Sequence, residues 1–355
     1  AANPDAQAEA FGKRDATGVE AVHDAMPTEA RAFELLASRE ARRLPHRGRG
    51  SELRVLDFGC GDGRYLPLYL RVAGALREAL GASLRVVAYD ISTEALRAFR
   101  SRAEEAGLRR VGGAGSGPDV LALGALSVHF VLGDGAAELG AVRESLLKAG
   151  PVFDLVVVGW GTLSSVPRLP GISPAGLLEL FAQMGHAIMN VASSTNNHVA
   201  FQREFEQRRR AYRAAASPEL RAWLQPRIGL ATFPGSYYYP LGTGGRQFYY
   251  ALTAGQEARR LEAAGFSDVG IRICNIINFF DISTRPRAAA LDAHLVELLE
   301  AGELWRAQLV LCHGVARAAG RPLSAVWSGS CMFDASSRLA CLGQVARYFI
   351  STGTS

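Results

Sequence analysis

Lysine is almost missing from this 355-residue chain: of 39 Lys+Arg, only Lys13 and Lys148 are lysine. The formal net charge of +5 is therefore carried by arginines spread along the sequence. The only dense basic run, Arg203 to Arg213, holds Glu204 and Glu206 inside it. A nucleic-acid face concentrates its cations on one element, so this pattern argues against a phosphate-tracking surface. Cysteine is scarce as well. Cys60, Cys274, Cys312, Cys331 and Cys341 are odd in number, scattered and without a C-x-x-C pair. That argues against a disulfide scaffold and a tetrathiolate zinc site, and fits a reducing compartment. No stretch approaches the ~18 uninterrupted apolar residues of a membrane span. The polar opening AANPDAQAEAFGKRD lacks the apolar segment of a secretory signal. The expectation is a cytoplasmic protein without membrane contact. With 48% hydrophobic residues, the chain can bury a large core, which excludes disorder.

What is present is an alternation of short apolar runs and amphipathic segments. Residues 1–50 read as helical, with Thr28 as a candidate cap before EARAFELLASREARRL. Strand-like runs follow at LRVLDFG, LRVVAYD, SVHFVLGD, FDLVVVGW and HAIMNVASS. Ser92 and the pair Ser173-Pro174 are expected to open two of the helices. Apolar strands separated by amphipathic helices predict a doubly wound, mostly parallel α/β sheet covered on both faces. Residues 51–198 form this core. Residues 199–246 interrupt it, with an Arg-rich helix and the loop FPGSYYYPLGTGGR. Residues 247–284 resume it, with a helix over QFYYALTAGQEARRLEAAGF, ending at Gly265, and the strand SDVGIRICNII. A second insertion, 285–340, precedes a last strand in 341–355, VARYFISTG. The N-terminal helices and both insertions are expected to form a lid.

The decisive local signal is Asp57-Phe-Gly59-Cys60-Gly61-Asp62-Gly63, between the first strand and the first core helix. Glycines at alternate positions let backbone turn sharply and approach a ligand closely. The helix beyond presents amide groups and the positive end of its dipole. Asp90 ends the second strand, where a carboxylate can accept both hydroxyls of a ribose. Asp134 ends the third in Gly133-Asp134-Gly135, where it can accept from an adenine amino group. In an open α/β sheet these carboxyl ends meet at the ligand crevice. A dinucleotide fingerprint uses G-x-G-x-x-G for a pyrophosphate, beside which an acid is unwelcome. Here the spacing is G-x-G-x-G with Asp57 leading, which suits a cationic, amine-bearing ligand.

This spacing and order resemble the class I S-adenosylmethionine-dependent methyltransferases of small-molecule type. The resemblance covers about residues 50–190 and returns at the chain end. It implies a seven-stranded sheet with an antiparallel last strand and S-adenosyl-L-methionine as cofactor. The turn (Asp57, Gly59, Cys60, Gly61, Gly63) would hold the methionine part and Asp90 with Ile91 the ribose. Asp134 and Gly135 would hold the adenine, and Gly159-Trp160-Gly161-Thr162 would lie beside the methyl donor. Asp90 lies further past Gly63 than the ~20 positions usual for a ribose acid, which a longer first helix absorbs. Cys60 reads as a small filler of the turn and not as a nucleophile.

Methyl transfer from a sulfonium is an in-line displacement, so alignment and exclusion of water matter most. A base is needed only for a hydroxyl, thiol or carbon acceptor. His198, after the fifth strand, is the candidate base; a surface or capping histidine is the competing reading. Tyr237, Tyr238, Tyr239 and Arg246 are candidate substrate contacts, against the alternative of a packed loop anchor. A lidded pocket suits a small or medium-sized metabolite. Together with the resemblance to a capped methyltransferase core, the arginine-rich composition associates the chain with natural-product biosynthesis. The alternatives are an RNA methyltransferase using the Arg203–Arg213 run, a protein that retains the cofactor without methylating, and an NAD-dependent oxidoreductase. No metal is expected, and a homo-oligomer is compatible with all of these readings.

Overall fold

The computed structural model describes residues 27–44, 52–111, 119–133, 139–149, 152–159, 162–165, 173–193, 236–240, 246–250, 252–275 and 348–355, with residues 294, 297, 298, 301 and 303. Helix α1 (Pro27–Ala41) precedes the core, which begins with β1 (Glu52–Phe58), α2 (Leu66–Leu80), β2 (Ser83–Asp90) and α3 (Thr93–Glu105). Strands β3 (Arg109–Arg110), β4 (Asp119–Leu123) and β5 (Leu126–Leu132) follow, then α4 (Leu139–Ala149) and β6 (Phe153–Val158). Next come the short α5 (Thr162–Ser165), α6 (Pro174–Met184) and β7 (Gly185–Ser193). The chain closes with β8 (Ser236–Pro240), β9 (Arg246–Tyr250), α7 (Ala254–Ala263), β10 (Ser267–Asn275) and β11 (Tyr348–Thr354).

One nine-stranded sheet runs in the order β10-β11-β7-β6-β1-β2-β5-β4-β3. Strands β5, β2, β1, β6 and β7 are mutually parallel, and β11 lies antiparallel between β7 and β10. All seven expected strands are therefore present, including the reversed last one. The count of seven needs correction, because β3 and β4 extend the β5 edge as an antiparallel hairpin. The strand-like runs read from the sequence do not include Asp119–Leu123. Here DVLAL alternates against β5 across the turn at Gly124, whose φ of 59° only glycine adopts readily.

Successive side chains of a strand point to opposite faces, and here both faces are buried. Leu53 and Val55 of β1 enter one core with Phe33, Leu66 and Phe99, whereas Leu56 and Phe58 enter the other with Phe181, Leu261 and Phe266. Helices α1, α2 and α3 thus cover one face, and α4, α6 and α7 the other. The expected caps form: Ser92 Oγ accepts from the Ala95 amide at 3.1 Å and Ser173 Oγ from Gly176 at 3.0 Å. Helix α1 starts at Pro27, so Thr28 lies inside it and is not its cap.

The helix expected over QFYYALTAGQEARRLEAAGF begins later than the sequence suggested. Arg246–Tyr250 pairs with Ser236–Pro240 as a separate two-stranded sheet, and the helix opens only at Ala254. Aromatic residues favour the extended chain, and Thr253 with Gln256 forms a reciprocal capping box, at 3.2 and 2.8 Å, that sets the start. Strand β9 packs against α5, near the carboxyl ends of β6 and β7. Among the described residues, no helix is long and apolar enough to cross a membrane.

A buried polar cluster ties the antiparallel edge to α7. The Glu257 carboxylate, fully buried, accepts from Asn190 Nδ2 of β7 at 2.6 Å and from Ser351 Oγ of β11 at 2.7 Å. Arg260 lies 2.6 Å from its other oxygen. Glu257→Ala leaves these partners buried without their acceptor. The expected loss is about 3 kcal/mol, read as a lower urea midpoint at unchanged slope.

Candidate functional site

The site is built where β1, β2 and β6 end. After Phe58 the chain turns through Gly59, Gly61 and Gly63 with φ of 72°, 56° and 86°, all in the left-handed region. Two of these glycines are also required by packing. A Cβ on Gly59 would lie 2.5 Å from the Thr162 methyl, and one on Gly63 would lie 2.2 Å from the Phe99 ring. Gly61 differs, since a Cβ there meets nothing within 4 Å. Its partly buried backbone therefore has open space on the Cβ side, at the crest of the turn. The turn is sewn to β2 by the Gly59 and Cys60 amides, which donate to the Tyr89 carbonyl at 2.8 and 3.1 Å.

Asp57 is the unusual residue. It faces the α1–α2 layer and is fully buried. Its Oδ2 accepts from the Tyr69 hydroxyl at 2.8 Å, whereas Oδ1 is buried with no hydrogen-bond partner. Burial pushes its carboxyl up to about 7; the Tyr69 hydrogen bond opposes the shift and the nearby Asp90 charge adds to it. Asp90 itself is half-buried. Its Oδ2 accepts from the Gly61 amide and its Oδ1 from the Ser92 amide, both at 2.9 Å. Both oxygens of Asp90 thus brace the turn and the start of the segment that leads into α3. Ile91 follows it, partly buried against the second core. Cys60 is buried, and burial with the charges of Asp90 and Asp57 pushes its thiol well above its usual range, so it is an inert filler.

Gly159 closes the site from the end of β6. A Cβ there would lie 2.9 Å from Cε2 of Tyr65, the residue that precedes α2. Thr162, three residues on, donates back to the Gly159 carbonyl at 2.7 Å. The structure thus brings together Asp57, Gly59, Cys60, Gly61, Gly63, Asp90, Ile91 and Gly159. Asp134, Gly135, Trp160, Gly161 and His198 lie outside the described residues. Tyr237, Tyr238 and Tyr239 are on β8 and Arg246 on β9, placed as backbone by the pairing of the two strands.

Four residues that the sequence reading passed over complete the site. Tyr69 holds Asp57. Glu29 of α1, fully buried, accepts from the Tyr65 hydroxyl at 2.8 Å and from Arg64 Nη2 at 2.6 Å. The pair Tyr65 and Tyr69, one helical turn apart directly after the glycines, was a legible signal. Glu29, 35 positions before Arg64, carried none.

A buried carboxyl oxygen without a hydrogen-bond partner can accept from a hydrogen-bond-donating group. An anionic phosphate would instead meet the carboxylate of Asp90.

No protein-family model and no curated protein matches the chain. Among solved structures it is similar to WbdD, at 22% identity over 46% of this chain and 29% of that one, with a TM-score of 0.29. It is also similar to phosphoethanolamine N-methyltransferase 2 of Haemonchus contortus, solved with phosphomonomethylethanolamine and S-adenosylhomocysteine. There the identity is 13% over 90% of this chain and 52% of that one, with a TM-score of 0.33. A third is the YcgJ protein of Bacillus subtilis, at 10% identity over 89% and 95%, with a TM-score of 0.34. The chain spans under a third of WbdD and about half of the Haemonchus contortus enzyme. With TM-scores no higher than 0.34, these likenesses assign no activity.

Asp57 makes folding depend on pH. The native carboxyl keeps its proton up to about 7, whereas the unfolded one loses it near 3.8. Native protein therefore binds more protons between those values, and its stability falls as pH rises through them. Between pH 5 and 8 the ligand-free protein should lose roughly 3 kcal/mol relative to Asp57→Asn. Urea midpoints across that range check this; parallel profiles would remove Asp57 as the cause.

Proposed function

We propose that this chain is an S-adenosyl-L-methionine-dependent methyltransferase acting on a small or medium-sized metabolite. The observation that carries the reading is Asp57: a buried carboxylate with one unpartnered oxygen, leading a glycine turn whose crest at Gly61 is open. The strand order, with a reversed last strand, agrees with the fold that the sequence resemblance implies. S-Adenosyl-L-methionine, when bound, supplies an electrophilic methyl group on a sulfonium. Asp57 would take the α-ammonium and Gly61 would offer uncluttered backbone to the methionine chain. Asp90 would accept from the ribose hydroxyls, and Asp134 with Gly135 would hold the adenine. Gly159 and Trp160 would border the methyl group.

Acceptor binding is assigned to the crevice beyond β6 and β7. The packing of β9 on α5 supports a role for the hairpin that carries Tyr237, Tyr238, Tyr239 and Arg246. His198, which follows β7 in the chain, is the proposed general base where the acceptor is a hydroxyl, thiol or acidic carbon. A role in natural-product biosynthesis belongs to the same proposal.

Calorimetric titration tests the reading. Wild-type protein should bind S-adenosyl-L-methionine with one site, and Asp90→Asn should weaken binding by about tenfold, the loss of one charge-assisted contact. Unchanged affinity in that variant removes Asp90 from the ribose. No binding by the wild type, together with uptake of NADH, overturns the proposal.

A further inference from the structure

Helix α1 precedes the alternating strands and helices in the chain, and it carries two fully buried carboxylates, Glu29 and Glu40. They stand three helical turns apart and so share one face. Between them Phe33, Leu36 and Ala37 are buried in the first core. At one end Glu29 holds Arg64 and Tyr65, the residues that lead from the glycine turn into α2. At the other, Glu40 accepts from Arg39 Nε at 3.1 Å and lies 2.7 Å from Nδ1 of His186. Arg43 approaches both Glu40, at 3.5 Å, and His186. His186 is the second residue of β7 and lies at the opposite end of the sheet from the turn.

An apolar helix face holds a helix on a sheet but tolerates sliding. Two buried carboxylates with directional partners do not, because any shift strands a charge. What Glu29 locks is also specific. Tyr65 rests on Gly159, and Tyr69, one turn later, holds Asp57 while packing against Phe33 of α1 at 5.4 Å between centroids. Both the Tyr65 contact at the β6 end and the Tyr69 hydrogen bond to Asp57 are thereby tied to α1.

We propose that Glu29 is a positioning residue for the cofactor pocket, acting through Tyr65 and Arg64 without touching the ligand. The assignment rests on the reading of that pocket given above. Glu40 provides a matched control: same helix, same face, same burial, far end of the sheet. Calorimetry with S-adenosyl-L-methionine on wild type, Glu29→Gln and Glu40→Gln is combined with amide hydrogen exchange of the ligand-free proteins. Glu29→Gln should lower affinity by about tenfold or more and speed exchange at the amides of Gly61–Arg64. Glu40→Gln should stay within about threefold of wild type in affinity and leave those amides unchanged. Equal effects of the two substitutions on both readouts overturn the proposal, since Glu29 would then only fasten the helix. If the wild type binds no S-adenosyl-L-methionine, the function falls and the exchange result decides the clasp by itself: selective loosening by Glu29→Gln sustains it, and its absence rejects it.

Discussion

A carboxylate that has left water must find partners or keep its proton, and Asp57 has only half of what it needs. Tyr69 satisfies one oxygen; the other is sealed from solvent without a donor. The rest of the site is arranged around this deficit. The glycine turn keeps side chains away from its crest, and the second strand contributes Asp90 to hold the turn's amide. The β6 end stays narrow enough for Tyr65 to lie on Gly159. A polar group left wanting inside a packed core costs stability, and such a cost persists where binding or catalysis uses it.

The layers around the site are braced by further buried carboxylates. Glu29 with Arg64 and Tyr65 secures the near side, and Glu257 with Asn190 and Ser351 secures the antiparallel edge. Each is a buried carboxylate bridging elements distant in sequence. Ion pairs of this kind add little net stability over apolar packing. Their effect is to set where one element sits on another.

Much of this fold was legible from periodicity. Leu53, Val55, Leu56 and their counterparts in the other central strands are apolar on both faces, which is the mark of a covered parallel sheet. Ser92, Ser173 and Gly265 announced helix ends through local chemistry that needs no tertiary context. The hairpins were harder. Arg109–Arg110 is a two-residue strand, too short for any alternation, and the tyrosines of β8 sit among prolines and glycines that read as a loop. Asp57, Asp90 and the glycines were legible as a site because their positions at strand ends follow from the alternation itself. Tyr65 and Tyr69 carried a local signal in their helical spacing, but Glu29 did not, because a buried carboxylate's partner is chosen by packing between layers and no local pattern records it.

The central claim is that Asp57 enters binding protonated and pairs, as a carboxylate, with an ammonium group. Titrating S-adenosyl-L-methionine near pH 6 in two buffers of different ionisation heat counts the protons exchanged. The account predicts release of close to one proton per ligand bound, abolished in Asp57→Asn. Binding without proton release in the wild-type protein would contradict it.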